Sequence, residues 1–91
     1  MSNEGHKKIP LALQRRIEGA PGETIYLLLH VSETGPAQIA AIERAGYVVR
    51  HETSIIPCYA VSGPARGLQA LAEEAWLDRV EEDGTVQTMK Q

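Results

Sequence analysis

The sequence predicts an α+β domain whose strands and helices run β-α-β-β-α-β. Three observations carry that expectation. Ninety-one residues make one domain, and 43% apolar with 23% charged residues sits near the globular average. Short apolar runs with strand character alternate with stretches of helical spacing. Aromatic residues are 4% of the chain, namely Tyr26, Tyr47, Tyr59 and Trp76 with no Phe, so the core is expected to be aliphatic.

Each element follows in chain order. Residues 1–8 are polar. Pro10 then opens a short helix over Leu11–Ile17, with Leu13 and Ile17 at i, i+4 and Gly19 to Gly22 ending it. Thr24–Val31 is a strand, so continuously apolar that it is expected to be central and covered on both faces. Pro36 starts a helix to about Ala45, with Ile39 and Ile42 on one face and Gly46 as its stop. Tyr47–Thr53 is a second strand and Ile56–Val61 a third, with Pro57 marking a start, an edge or a bulge. A turn is expected at Ser62-Gly63, then a helix from Pro64 with Leu68, Leu71 and Ala72 as its apolar stripe. Trp76–Asp83 holds the last strand, and Gly84 punctuates it.

This order is the split βαβ, or ferredoxin-like, arrangement: a four-stranded antiparallel sheet with two helices on one face, here behind a short N-terminal helix. The expected core is Leu27, Leu29, Ile39, Ile42, Leu68, Leu71 and Val80. The expected division is an N-terminal extension (1–23), the domain proper (24–84) and an extended tail (85–91).

Composition excludes several functions. No apolar run approaches the roughly 18–20 residues of a membrane span. No signal-type apolar segment follows Met1, so a cytoplasmic location and no membrane partner are expected. One cysteine, Cys58, excludes an internal disulfide and a multi-cysteine zinc site. Nine Lys and Arg against twelve Asp and Glu give a net charge of −3, and the last strand is acidic, so no nucleic-acid partner is expected. The charge is segregated. Lys7, Lys8, Arg15 and Arg16 make the amino-terminal part basic, while Glu73, Glu74, Asp78, Glu81, Glu82 and Asp83 make the carboxy-terminal part acidic.

Catalytic chemistry finds little support, and no enzyme is expected. Cys58 and His51 fall on neighbouring predicted strands, yet a buried structural thiol is the simpler reading. His30 and His51 lack a third and fourth metal ligand, and no cofactor or metal is expected. The turn at Gly35-Pro36 offers amide donors for an anion, or simply starts a helix. The last strand is more informative. Period-two alternation sets Val80 on one face and Glu81 and Asp83 on the other. With Val80 toward the helices, both carboxylates project from the open sheet face. There they either keep the sheet soluble or accept hydrogen bonds from the free N–H groups at a partner's helix N-termini.

Taken together, Ile25-Tyr-Leu-Leu-Leu29, Ile39-Ala-Ala-Ile-Glu-Arg-Ala-Gly46, Tyr47-Val-Val49, Pro57-Cys-Tyr-Ala-Val61, Pro64-Ala-Arg-Gly-Leu-Gln-Ala-Leu71 and Val80-Glu-Glu-Asp83 follow a familiar order and spacing. Over residues 24–89 the chain resembles the propeptide domains of subtilisin-like serine proteases and the stand-alone inhibitors that share their fold. Pro57-Cys58 departs from the Asn-Gly usual there. The resemblance implies an inhibitor or intramolecular chaperone of such a protease. Glu81 and Asp83 would cap two surface helices of the enzyme. The tail Val86, Gln87, Thr88 and Met89 would lie extended in the substrate cleft, with Met89 in the S1 pocket and Val86 in S4. Lys90 and Gln91 follow the residue at which the family's tail would end, which leaves a second register with Gln91 in the first pocket. The chain would be a stand-alone inhibitor, an excised propeptide or a relic domain. The competing readings are a small-ligand module like the ACT domains, with its ligand near Ser32 to Pro36, and a generic protein-interaction domain.

Overall fold

The computed structural model describes residues 8–53 and 55–83. Helix α1 covers Leu11–Gly19. Pro10 precedes it, and the Pro10 carbonyl accepts from the amides of Leu13 and Gln14 at 3.0 Å each. Strand β1 is Thr24–Val31, α2 is Pro36–Arg44, and β2 is Val48–Thr53. Strand β3 runs Cys58–Pro64, a 3-10 turn covers Ala65–Gly67, α3 is Leu68–Ala72 and β4 is Leu77–Glu82.

The four strands form one antiparallel sheet in the order β2-β3-β1-β4. That is the expected ferredoxin-like α+β arrangement. β1 sits inside the sheet, pairing with β3 on one edge and β4 on the other. Its side chains alternate more cleanly than its composition suggests. Ile25, Leu27, Leu29 and Val31 are buried, while Tyr26, Leu28 and His30 are half-buried on the face away from the helices. The expectation of cover on both faces is therefore corrected: leucine at position 28 serves a half-open surface.

The core is aliphatic with two tyrosines. Ile42, Leu68 and Leu71 from the helices meet Leu27, Leu29, Val61 and Val80 from the sheet, all at most 2% exposed. Ile39 is only partly buried and packs on the margin of this cluster. Ile9, Leu13 and Ile17 belong to the same cluster, so α1 packs onto the domain. Tyr47 is buried, and its hydroxyl donates to the Pro64 carbonyl at 2.6 Å. Burial pushes that hydroxyl's pKa far above the ordinary range.

Three local features depart from the sequence reading. β3 does not turn at Ser62-Gly63 but runs on to Pro64, with Gly63 opposite Ile25. A β-carbon at Gly63 would lie 2.7 Å from the Tyr47 ring, so glycine lets the strand pass beneath it. The helix after it is correspondingly short, starting at Leu68. In β4, His30 pairs with Arg79 but Val31 with Leu77, which leaves Asp78 as a bulge. That extra residue turns both Leu77 and Val80 inward although they are three apart. A second bulge falls at Arg50, because Val49 pairs with Val61 and His51 with Ala60.

Helix α2 begins with Pro36 and ends where Gly46 takes φ +97°, a left-handed conformation that favours glycine. Gly67 answers a different constraint. A β-carbon there would sit 2.3 Å from the Ala45 carbonyl oxygen, so the 3-10 turn approaches the end of α2 only because position 67 has no side chain.

Leu71 is 1% exposed, and Leu71→Ala should destabilise the fold by about 2–5 kcal/mol in urea unfolding. A cost below about 1 kcal/mol would contradict this packing. Gly67→Ala is expected to destabilise it as well, through the carbonyl contact.

Candidate functional site

The sheet face away from the helices carries side chains that the fold leaves unused. The strand registers place them on three levels. On the first, Val48 of β2, Ser62 of β3 and Tyr26 of β1 lie side by side. On the second stand His51, Ala60, Leu28 and Glu81. On the third stand Thr53, Cys58, His30 and Arg79. Val48 is 62% exposed, and Leu28, Ala60 and Cys58 are half-buried. The middle level is thus apolar at Leu28 and Ala60, with polar His51 and Glu81 flanking it on the two outer strands.

Glu81 stands on this face, as alternation along β4 predicts, and Val80 points into the core. The Glu81 side chain is 44% exposed. Its Oε2 lies 2.8 Å from Arg79 Nη1, and its Oε1 lies 3.3 Å from His30 Nε2. The second approach is a close proximity rather than a hydrogen bond. His30 Nε2 is buried with no aligned partner, because the ring N–H does not point at the carboxylate. Such partly exposed pairs contribute little stability. Glu81 keeps half its surface toward solvent.

Asp83 is placed differently. Its side chain is only 11% exposed, its amide donates to the Tyr26 carbonyl at 2.8 Å, and Arg50 Nη1 lies 3.8 Å from Oδ2. The Arg50 guanidinium also sits 5.4 Å above the Tyr26 ring, a cation–π placement. The bulge at Arg50 gives this side chain its reach across the face. The carboxylate expected to project beside Glu81 is therefore largely covered and held against Arg50.

Cys58 has His30 as its neighbour on β1 and Thr53 on β2, whereas His51 is level with Ala60. The Cys58–His51 approach considered from sequence does not form. His30, passed over in that pairing, is the imidazole beside the thiol. Burial pushes the Cys58 pKa up, and the Glu81 and Asp83 carboxylates add to it. A nucleophilic thiol requires the opposite shift. Among the described residues no group of three or more His, Cys, Asp or Glu is arranged to hold a metal ion.

The turn between β1 and α2 is closed by the protein itself. The Gly35 amide donates to the Tyr59 hydroxyl at 2.9 Å, and Gln38 Nε2 donates to Glu33 Oε2 at 3.4 Å. That amide is therefore not open to an anion. On the helical side, a cleft of about 330 Å³ lies between α1 and α3 over Ile9, Ile17 and Ala72.

Residues Val86, Gln87, Thr88 and Met89 lie outside the described residues. The point from which they depart is defined. Arg16 of α1 pairs with Glu82 at the end of β4 and lies 3.3 Å from Glu23 just before β1. No described helix is long and apolar enough to cross a membrane. No protein-family model matches the chain, and no curated protein matches it in sequence.

The environment of Cys58 has a pH consequence. A raised thiol pKa means that the folded state holds this proton more tightly than the unfolded chain does. The stabilisation is full below the ordinary value of 9.0 and is lost as pH rises through the raised one. Unfolding free energy should therefore fall in that alkaline window, and Cys58→Ser should remove the thiol's share of the fall. Thiol labelling at fixed pH should be faster in Glu81→Gln than in the parent. Equal labelling rates would deny the carboxylate its influence.

Proposed function

We propose that this protein binds a subtilisin-like serine protease as an inhibitor or folding chaperone, not as an enzyme. The open sheet face would lie on the protease, and the chain after β4 would lie in its substrate cleft. One observation carries the reading. Glu81 stands half-exposed on the sheet face away from the described helices, on the strand that precedes residues 84–91 in the chain. A carboxylate so placed suits the unpaired amides at a helix N-terminus, where charge-assisted hydrogen bonds and the helix dipole act together. The tail would add to the cleft as an extended strand, with backbone hydrogen bonds giving affinity and alternate side chains giving specificity.

Within this reading the two carboxylates are unequal. Glu81 need only exchange its wet pair with Arg79, whereas the covered Asp83 must leave Arg50. Glu81→Ala is therefore expected to weaken inhibition by about 1.5–3 kcal/mol, and Asp83→Ala by less. Both variants should remain folded by circular dichroism. Undiminished inhibition by folded Glu81→Ala would leave that residue a solubilising charge only.

The decisive assay follows inhibition of a broad-specificity subtilisin while mass spectrometry follows the chain. Hydrolysis of the Met89–Lys90 peptide bond alone, releasing Lys90-Gln91, supports Met89 in the first pocket. An intact chain that still inhibits supports Gln91 there. Val86→Asp and Met89→Asp should both abolish tight inhibition, since each would place a charge in an apolar pocket. Absence of inhibition with rapid breakdown of the whole chain overturns the reading.

A further inference from the structure

The open face is complementary to itself. At each of its three levels β1 carries a larger side chain and β3 a smaller one: Tyr26 beside Ser62, Leu28 beside Ala60, His30 beside Cys58. The face thus has a ridge along β1 and a trough along β3 at the Leu28 and His30 levels, with Arg50 crossing to Tyr26 at the first level. The flanking strands differ in chemistry, with the Glu81 carboxylate on β4 level with Leu28 and the His51 imidazole on β2 level with Ala60. Arg50 lies beside His51 on the same strand.

We propose that two copies of this chain pack sheet to sheet through this face, about a twofold axis parallel to the strands. Such an axis lays β1 of each copy over β3 of the other and β4 over β2. Leu28 then fills the space above Ala60 of the second copy, and Ala60 receives Leu28 in return. Glu81 meets His51 of the second copy at both ends of the same level, while Arg50 of each copy stays over its own Tyr26 and Asp83. The other possible twofold, across the strands, stacks ridge on ridge and brings the two Glu81 carboxylates together. Shape and charge therefore select the same axis. Aligned sheets cross at about 30° and lie roughly 10 Å apart. The Leu28–Ala60 level, midway between the other two, thus superposes best. The dimer stands independently of the protease reading, and because both use one face, self-association and protease binding would exclude each other.

Sedimentation equilibrium of the full chain over a wide concentration range tests the proposal. One chain mass should give way to two as concentration rises. Ala60→Arg fills the trough, and Ser62→Arg fills it one level away. Each should weaken dimerisation at least about tenfold while the far-ultraviolet circular dichroism stays unchanged. Glu81→Lys should weaken it similarly, and adding His51→Glu to that variant should restore it by giving the new lysine a carboxylate partner. That recovery separates an interface effect from a folding defect. A chain that is monomeric at its highest soluble concentration overturns the proposal. So does a dimer that persists in both trough-filling variants, since it would use a different surface. The readout is chain mass without protease, so failure to inhibit leaves it unaffected.

Discussion

The structure depends on β1 forming ladders on both of its edges while burying only one of its faces. Pairing with β3 on one side and β4 on the other satisfies its backbone groups. Ile25, Leu27, Leu29 and Val31 then face one way, and the helices must gather there to cover them. Tyr26, Leu28 and His30 face the other way and stay half-buried, with Arg50 over the Tyr26 ring. An open sheet face is thus a direct result of placing two helices and a third short one on the same side. Function is sought on this face because the rest of the sheet surface is already spent on the core.

Electrostatics on that face are arranged in short internal pairs: Arg79 with Glu81, and Arg50 with Asp83. The pairs lower the net charge the surface presents without removing its charged groups. A partner can therefore meet apolar Leu28 and Ala60 at the centre while exchanging ion pairs at the margins. Exchange is inexpensive where the pairs are partly wet, as at Glu81, and costlier where the carboxylate is covered, as at Asp83.

Much of this was legible residue by residue. Pro36 and Gly46 bracket α2 because one presets a helical φ and the other tolerates a positive one, both local properties. Val80 and Glu81 take opposite faces because a strand has period two. What escaped sequence reasoning is relational. The bulges at Asp78 and Arg50 exist only as mismatches between paired strands. Cys58 lies beside His30, 28 positions earlier, because β3 adds to β1 as well as to its hairpin partner. The cover over Asp83 comes from Arg50, at the bulge in the strand on the opposite edge of the sheet. Gly63 reads as a turn in isolation, and only the ring of Tyr47 above it reveals a strand that needs no side chain.

The strand order has a consequence for how the chain is made. β1 is synthesised early, and β3, its first neighbour, emerges with residues 58–64. Its second neighbour is β4, completed only at Glu82. From the pairing of β3 until β4 is made, the most apolar strand of the sheet therefore presents one bare hydrogen-bonding edge. Such an edge recruits other nascent strands. The last of the four strands to be made is thus the one that seals the sheet, and truncation before it leaves a sticky, incompletely closed intermediate rather than a smaller native domain.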